Sequence, residues 1–218
     1  MTVKTIFDPT AGRARRRKVA AVLAGGLVLG VGTMATLASW NDSEFASATF
    51  TAGRFNLEGS LTGDAASFAD HLGSVPSPAA GLSFSSPFDN LQPVSETYAG
   101  FALRLAPNTS NDATVSITTS LSGVVKGLSY QLVKGLSSTT CTKAAFDSAA
   151  GTAGNTLIAS SVIGWATGAQ SFDMIKGSPI TAAGSTVYVC VKVSADASID
   201  QGQVGTGIWT FSAASKAS

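Results

Sequence analysis

Residues 186–193 read Thr-Val-Tyr-Val-Cys-Val-Lys-Val, the clearest strand pattern in the chain. Valine occupies every second position of this stretch, from Val187 to Val193. Because successive side chains of a β-strand point to opposite faces of a sheet, the valines share one face and Cys190 lies on the other. The pattern therefore predicts a strand whose valine face is turned towards a core.

The same alternation recurs along the rest of the chain, and turn-forming Pro, Gly and Asn residues separate the stretches that carry it. No sustained helical periodicity follows residue 39, and we interpret the Ala/Gly/Ser-rich stretch 144–153 as a surface excursion. The pattern predicts an all-β fold, an antiparallel β-sandwich of the jelly-roll type, formed by residues 40–218 as one domain. The predicted strands lie at 50–57, 98–105, 114–121, 128–133, 171–175 and 207–211, with weaker candidates at 82–84 and 156–163.

Charge is sparse and unevenly distributed. Only 12% of the 218 residues are charged, and the formal net charge of +1 argues against a nucleic-acid partner. One His and two Cys are too few for a His-rich metal site, so we expect neither a metal nor another cofactor. Residues 1–39 hold six of the 14 basic residues but only one of the 13 acidic ones, which leaves a mildly acidic remainder.

The first 39 residues have the layout of an export signal. Four consecutive basic residues, Arg15 to Lys18, precede the uncharged run 19–39, which ends in small residues. We therefore interpret 1–39 as a signal peptide that contacts the membrane only during export and is removed by a signal peptidase. Because the run is long enough to span a bilayer, a retained anchor remains the alternative. Twin-arginine export is disfavoured, since the apolar residues of that motif are missing.

The stretch that follows the leader resembles a known family. Residues 40–58 read WNDSEFASATFTAGRFNLE, an aromatic-Asn-Asp start followed by an F-x-x-G-x-F-N-L strand. This start is similar to that of exported proteins with the alternate, SipW-type signal peptide, above all the actinobacterial group, and distantly to the biofilm-matrix proteins TasA and camelysin. Further matches lie at 68–71, 89–91, 98–105, 201–203 and 209–211.

The resemblance implies a route and a role. It implies cleavage between Ser39 and Trp40, with the bond before Ser39 as the alternative because Leu37 is large for its position. It also implies a protein that is secreted to the extracellular space or cell surface and serves in the matrix. A fibre subunit that polymerises with itself, or that joins other matrix and cell-wall components, is one form of that role.

Two further questions depend on named residues. Cys141 and Cys190 are expected to form a disulfide, because an exported chain with two cysteines most simply pairs them; two free thiols are the alternative. Cys190 is out of phase with the valines, which places the bridge on the outer face of the sheet. The apolar residues Phe50, Phe55 and Leu57 either complete their own sandwich as a strand or are donated to a neighbouring subunit.

Candidate catalytic residues are few. His71 is the single histidine and has Asp70 beside it, but no G-x-S-x-G or H-E-x-x-H motif accompanies it. Asp196 and Asp200 flank a turn, and we interpret them as solvated loop charges. The sequence therefore predicts no catalytic residues and a non-enzymatic structural protein. A secreted module that binds a glycan or protein is the alternative, and a camelysin-like protease is less favoured.

Overall fold

The computed structural model describes residues 18–19, 53–74, 78–85, 90–123, 125–163, 170–200 and 202–217. The predicted cleavage bond between Ser39 and Trp40, and almost all of the uncharged run, lie outside these ranges. Among the residues that are described, no helix is both long and apolar enough to cross a membrane.

The described chain is built mainly from strands. Four precede the main helix and four follow it, and a short 3-10 helix at Ala65–Ser67 lies after the first strand. Strand Ala113–Gly123 alternates between more and less buried side chains along most of its length, and Gly205–Ser215 alternates between half-buried and exposed ones. In Val187–Ala195 the alternation is interrupted by Cys190, which is buried on the opposite face from the valines. The strands are β1 (Leu57–Ser60), β2 (Glu96–Leu105), β3 (Ala113–Gly123), β4 (Leu128–Leu136), β5 (Thr156–Val162), β6 (Gln170–Met174), β7 (Val187–Ala195) and β8 (Gly205–Ser215), and helix α1 is Lys143–Ala150.

The strands form two antiparallel sheets, which confirms the predicted all-β sandwich. One sheet has the order β1-β2-β7-β4-β5, and the other has the order β6-β3-β8. The series β2-β7-β4-β5 and β8-β3-β6 follows the order of an eight-stranded jelly roll, in which a first strand lies beside the eighth. Here β1 lies beside β2 instead, so the three-stranded sheet is much narrower than the sheet it packs on.

The main core lies between the two sheets. The valine face of β7 points into it, and the facing strand β3 contributes Val115 and Ile117, both almost fully buried. On β2 the alternation places Phe101, Leu103 and Leu105 on the same inner face. The four-valine pattern that decides the fold therefore marks a central strand, because β7 has β2 on one side and β4 on the other.

Helix α1 corrects the interpretation of 144–153 as a surface excursion. The Thr142 hydroxyl accepts a hydrogen bond from Ala145 N at 3.2 Å and so caps the first turn. Alanine favours the helix, and Phe146 supplies a buried anchor. Two turns are too short to show periodicity in a sequence of small residues, which is why the pattern did not reveal the helix.

Candidate strand-accepting edge

The predicted disulfide is present on the outer face of the five-stranded sheet. Cys141, two residues before α1, is bonded to Cys190 at the centre of β7, with 5.5 Å between their Cα atoms. Cys190 packs with Tyr98 and Phe146 in a second, smaller core that α1 covers, and it is fully buried. The bridge therefore fastens the helix and its loop to the sheet, as the phase of Cys190 against the valines predicts.

Glu96 forms a small charge network at the edge of this second core. The Tyr98 hydroxyl donates to Glu96 at 2.6 Å, and Lys192 Nζ lies 3.3 Å from the same carboxylate. The hydrogen bond from Tyr98 lowers the pKa of Glu96, and Lys192 adds to the effect. Burial raises the pKa of Tyr98, and its hydrogen bond to Glu96 raises it further. The network is a structural feature, since it stands on the face that α1 covers.

The candidate catalytic residues do not come together. His71 is exposed, and its ring centroid lies 6.2 Å from that of Phe101. Asp70 accepts a hydrogen bond from Asn56, Asp196 accepts two from Ser198, and Asp200 pairs with Lys126. The Ser198 hydroxyl, followed by its backbone N–H, lowers the pKa of Asp196. Within the described ranges, no three metal-ligating side chains form a group that could hold an ion.

A shallow cavity of about 250 Å³ lies between α1 and the end of β4. Its walls are small and hydroxyl side chains, including Ser138, Ala145 and Thr152, with no acid, base or thiol among them. Of the aromatic residues that a glycan-binding row could use, Tyr98 and Tyr130 are buried and Tyr188 is half-buried, while Trp165 lies outside the described residues.

The most distinctive surface is the free edge of β8, which we call the β8 edge. In the part of the chain that the structure describes, β8 pairs with β3 along all eleven residues and with no other strand. An edge strand presents unpaired N–H and C=O groups, and proteins usually protect such edges with charges, prolines or short strands. Residues 205–215 contain neither a charge nor a proline. The β8 edge is therefore long and regular, and its own sequence carries neither a charge nor a proline to protect it.

Beyond the β8 edge, the wider sheet provides a floor. Phe211 on β8 stacks on Phe101 of β2 with centroids 6.1 Å apart, and Trp209 meets Tyr130 of β4 at 6.0 Å. Because β2 and β4 flank β7, these two contacts place β8 across β7. Strand β1 and the outer side of β2 then extend past β8, and the described residues place no strand above them.

Side chains from an extended segment partly cover this position. Ala80, Leu82 and Phe84 pack against the main core, and Phe84 lies over Trp209 with ring centroids 5.9 Å apart. Trp209 Nε1 is buried, and no hydrogen-bond acceptor for it occurs among the described residues. A buried donor without an acceptor costs roughly 1–3 kcal/mol of stability. Among the described residues, Trp209 Nε1 is such a donor.

The three residues predicted to form an assembly strand do not lie together in one strand of the structure. Leu57 opens β1, lies opposite Leu105 of β2 and packs on the main core. The next residue, Glu58, is held to Arg104 by an ion pair at 3.0 Å. Phe55 is 38% exposed, while Phe50 lies outside the described residues. The chain is thus held to its own domain from Arg54 onward, because Ser110 N donates to the Arg54 carbonyl and Ala106 N to the Asn56 carbonyl. Among the predicted assembly residues, this leaves only Phe50 outside the bonded part.

Sequence reasoning missed the edge itself, although a signal for it existed. The fifteen residues between Asp200 and Lys216 carry no charge, and this stretch contains the last predicted strand. The strand was predicted at 207–211, but a pattern of alternation does not tell an edge strand from a central one. Comparison with protein-family models and with curated proteins found no match to this chain.

Proposed function

We propose that this chain is a secreted, non-enzymatic structural protein of the cell surface or extracellular matrix, and that its subunits polymerise by strand addition at the β8 edge. The observation that carries the proposal is an uncharged eleven-residue edge with a hydrophobic floor beside it. Strand addition would satisfy the edge with backbone hydrogen bonds and bury apolar side chains on the floor.

The occupant that we propose is residues 40–52 of a neighbouring subunit. This segment has 13 residues, enough to run along β8, and it directly precedes the described body at Gly53. Its second half alternates strictly, with Ala46, Ala48, Phe50 and Ala52 on one face and Ser47, Thr49 and Thr51 on the other. The apolar face matches the floor, and fully burying Phe50 there would contribute about 1.5–3 kcal/mol.

The polar face of the segment also matches its surroundings. On the outer side of the three-stranded sheet, Thr118 of β3 lies opposite Thr210 of β8, and Ser116 lies opposite Ser212. An added strand with Ser and Thr outward would extend this hydroxyl-bearing surface without introducing a buried charge. The ladder that we propose is formed by residues 46–52, because Asp42 and Glu44 fall on the same face as Phe50 and would otherwise meet the apolar floor.

The test compares two lysine substitutions on the same outer face. In the mature chain that starts at Trp40, Thr210→Lys places a charge on the β8 edge and should abolish polymerisation, because lysine on an edge strand opposes strand addition. Thr118→Lys is the matched control: it lies directly across from Thr210 on the central strand β3 and should still polymerise. Electron microscopy and size-exclusion chromatography at rising concentration measure assembly, and circular dichroism verifies folding.

A shortened chain distinguishes whether residues 40–52 are donated to a neighbouring subunit or complete the sandwich of their own subunit. A chain that starts at Gly53 keeps β1 and all described strands, so it should stay folded, fail to polymerise and cap fibres of the intact protein. If residues 40–52 instead complete their own sandwich, this chain will unfold or aggregate, while the intact chain stays monomeric at high concentration. That pair of results would contradict the proposal.

A further inference from the structure

Residues 80–85, which we call the strap, contact β8 through Phe84 and Trp209 and do not form a strand. The side chains of Ala80, Leu82 and Phe84 are half-buried, whereas Gly81, Ser83 and Ser85 between them are exposed. This alternation is that of an extended segment with one apolar face. The strap therefore imitates the side-chain pattern of an added strand.

The strap is anchored at one end. Ser85 N donates to the Tyr98 carbonyl at 2.8 Å, and Tyr98 N donates to the Ser85 hydroxyl at 3.0 Å. The Thr97 hydroxyl donates to the Ser85 carbonyl at 2.5 Å. These bonds fix Ser85 to β2, at a level of β2 that β1 does not reach.

The rest of the strap is held by side chains alone. In the described part of the chain, the backbone of residues 80–84 makes no hydrogen bond to β8. Phe84 over Trp209 and Leu82 on the core are apolar contacts without directional bonds. Gly81 weakens the strap as a strand, and Pro78 just before it has no N–H to give to a ladder.

We infer that the strap is a displaceable cover that shields Trp209 until an incoming strand takes its place; this inference rests on the proposed strand addition at the β8 edge. The incoming strand displaces it because it supplies a backbone ladder to β8 in addition to an apolar face. The strap can move off Trp209 while Ser85 stays bonded to β2, since among the described residues only apolar packing holds residues 80–84. It thereby limits premature polymerisation.

Two substitutions in the strap should move the polymerisation rate in opposite directions. Phe84→Ser removes the cover over Trp209 and should speed polymerisation by about tenfold, which corresponds to roughly 1.4 kcal/mol of lost competition. Gly81→Thr should slow it, because a β-branched residue favours the extended strap and a Cβ at Gly81 meets no atom within 4 Å. Rates are followed by light scattering on the mature chain from Trp40, with circular dichroism to verify folding.

Leu128→Ser is the matched control for lost packing. Leu128 also packs half-buried on the main core, but it lies on β4 between β5 and β7, so its loss should lower stability without speeding polymerisation. If the wild type polymerises and Phe84→Ser does so no faster than Leu128→Ser, the strap inference fails while the proposed function stands. A monomeric wild type beside a polymerising Phe84→Ser supports the cover. If every variant stays monomeric, both the proposed function and the inference fall.

Discussion

Trp209 shows how one side chain links the core to the edge. Its ring packs between Tyr130 and Phe84, yet its Nε1 finds no acceptor in the described chain. Buried polar groups in proteins are nearly always hydrogen-bonded, so an exception of this kind often marks a place where a further group binds. A strand laid beside β8 would bring backbone carbonyls close to this ring.

Glu96 should make stability depend on pH in the acid range. Its folded-state pKa is held below the ordinary value of about 4.3 for a glutamate, so its stabilising contribution is fully present above that pH and is lost as the pH falls through the folded-state pKa. We expect Glu96→Gln to cost less than about 1 kcal/mol at neutral pH, since the group is partly exposed. Urea denaturation at several pH values should show the difference between the two proteins shrinking in acid. A constant difference would contradict this role.

At the scale of elements, α1 and β7 depend on each other. The helix is too short to be stable alone and has one apolar anchor, Phe146, on the sheet. The disulfide adds a covalent tie, and its two cysteines are 49 residues apart in the sequence. In the chain-entropy model a loop of that length contributes roughly 4 kcal/mol.

Loss of the bridge should therefore be costly. Cys190→Ser should lower the free energy of unfolding by about 2–5 kcal/mol. Cys141→Ser should cost less than Cys190→Ser, because it leaves a thiol rather than a hydroxyl at the fully buried position 190. Chemical denaturation of both variants measures the two losses. Two thiols that react freely in the unreduced native protein would rule out the bridge in solution.

The glycines of the sheet edges show how closely the elements approach. A Cβ at Gly59 of β1 would overlap the ring of Phe101, and one at Gly100 of β2 would overlap the carbonyl group of Thr139. Glycine is therefore required at both positions. At Gly59 it leaves room for the ring of Phe101 on the inner face, and at Gly100 it leaves room for the loop before α1 on the outer face. β1 itself is held to its sheet by its ladder with residues 102–105 of β2.

At the scale of the whole molecule, the central feature is a mismatch between the two sheets. Five strands lie opposite three, and β1 is used to widen the larger sheet instead of the smaller one. The strap compensates for the missing strand by covering the aromatic residues next to the β8 edge. The mismatch is what makes strand addition a way to complete the sandwich.

The proposed extracellular role requires removal of the leader. We expect N-terminal sequencing of the exported protein to begin at Trp40, or at Ser39 if the alternative bond is cut, which would free the segment 40–52 for donation. The uncharged run before it would otherwise hold the segment at the membrane. Recovery of membrane-bound protein that still carries residues 19–39 would contradict the prediction.

The sequence by itself predicted the fold class and the inner faces of β2, β3 and β7, and it favoured the disulfide that the structure shows. Valine at every second position of β7 indicates a strand with one face turned towards the core. Cys190 is out of phase with the valines, which places the disulfide on the outer face. Such periodicity can be read from the sequence alone, because the face on which a side chain lies depends only on its position in the strand and not on which strands pair with it.

The tertiary structure alone decided the rest. Which strand lies at an edge depends on pairings between residues as much as 102 positions apart, such as Ala113 with Ser215, and no local pattern encodes them. For this reason Leu57, grouped by sequence with a donated strand, belongs to β1, and 144–153 is largely a helix held by distant partners. The β8 edge exists because long-range pairing placed β1 beside β2, leaving the opposite position to side chains that form no ladder.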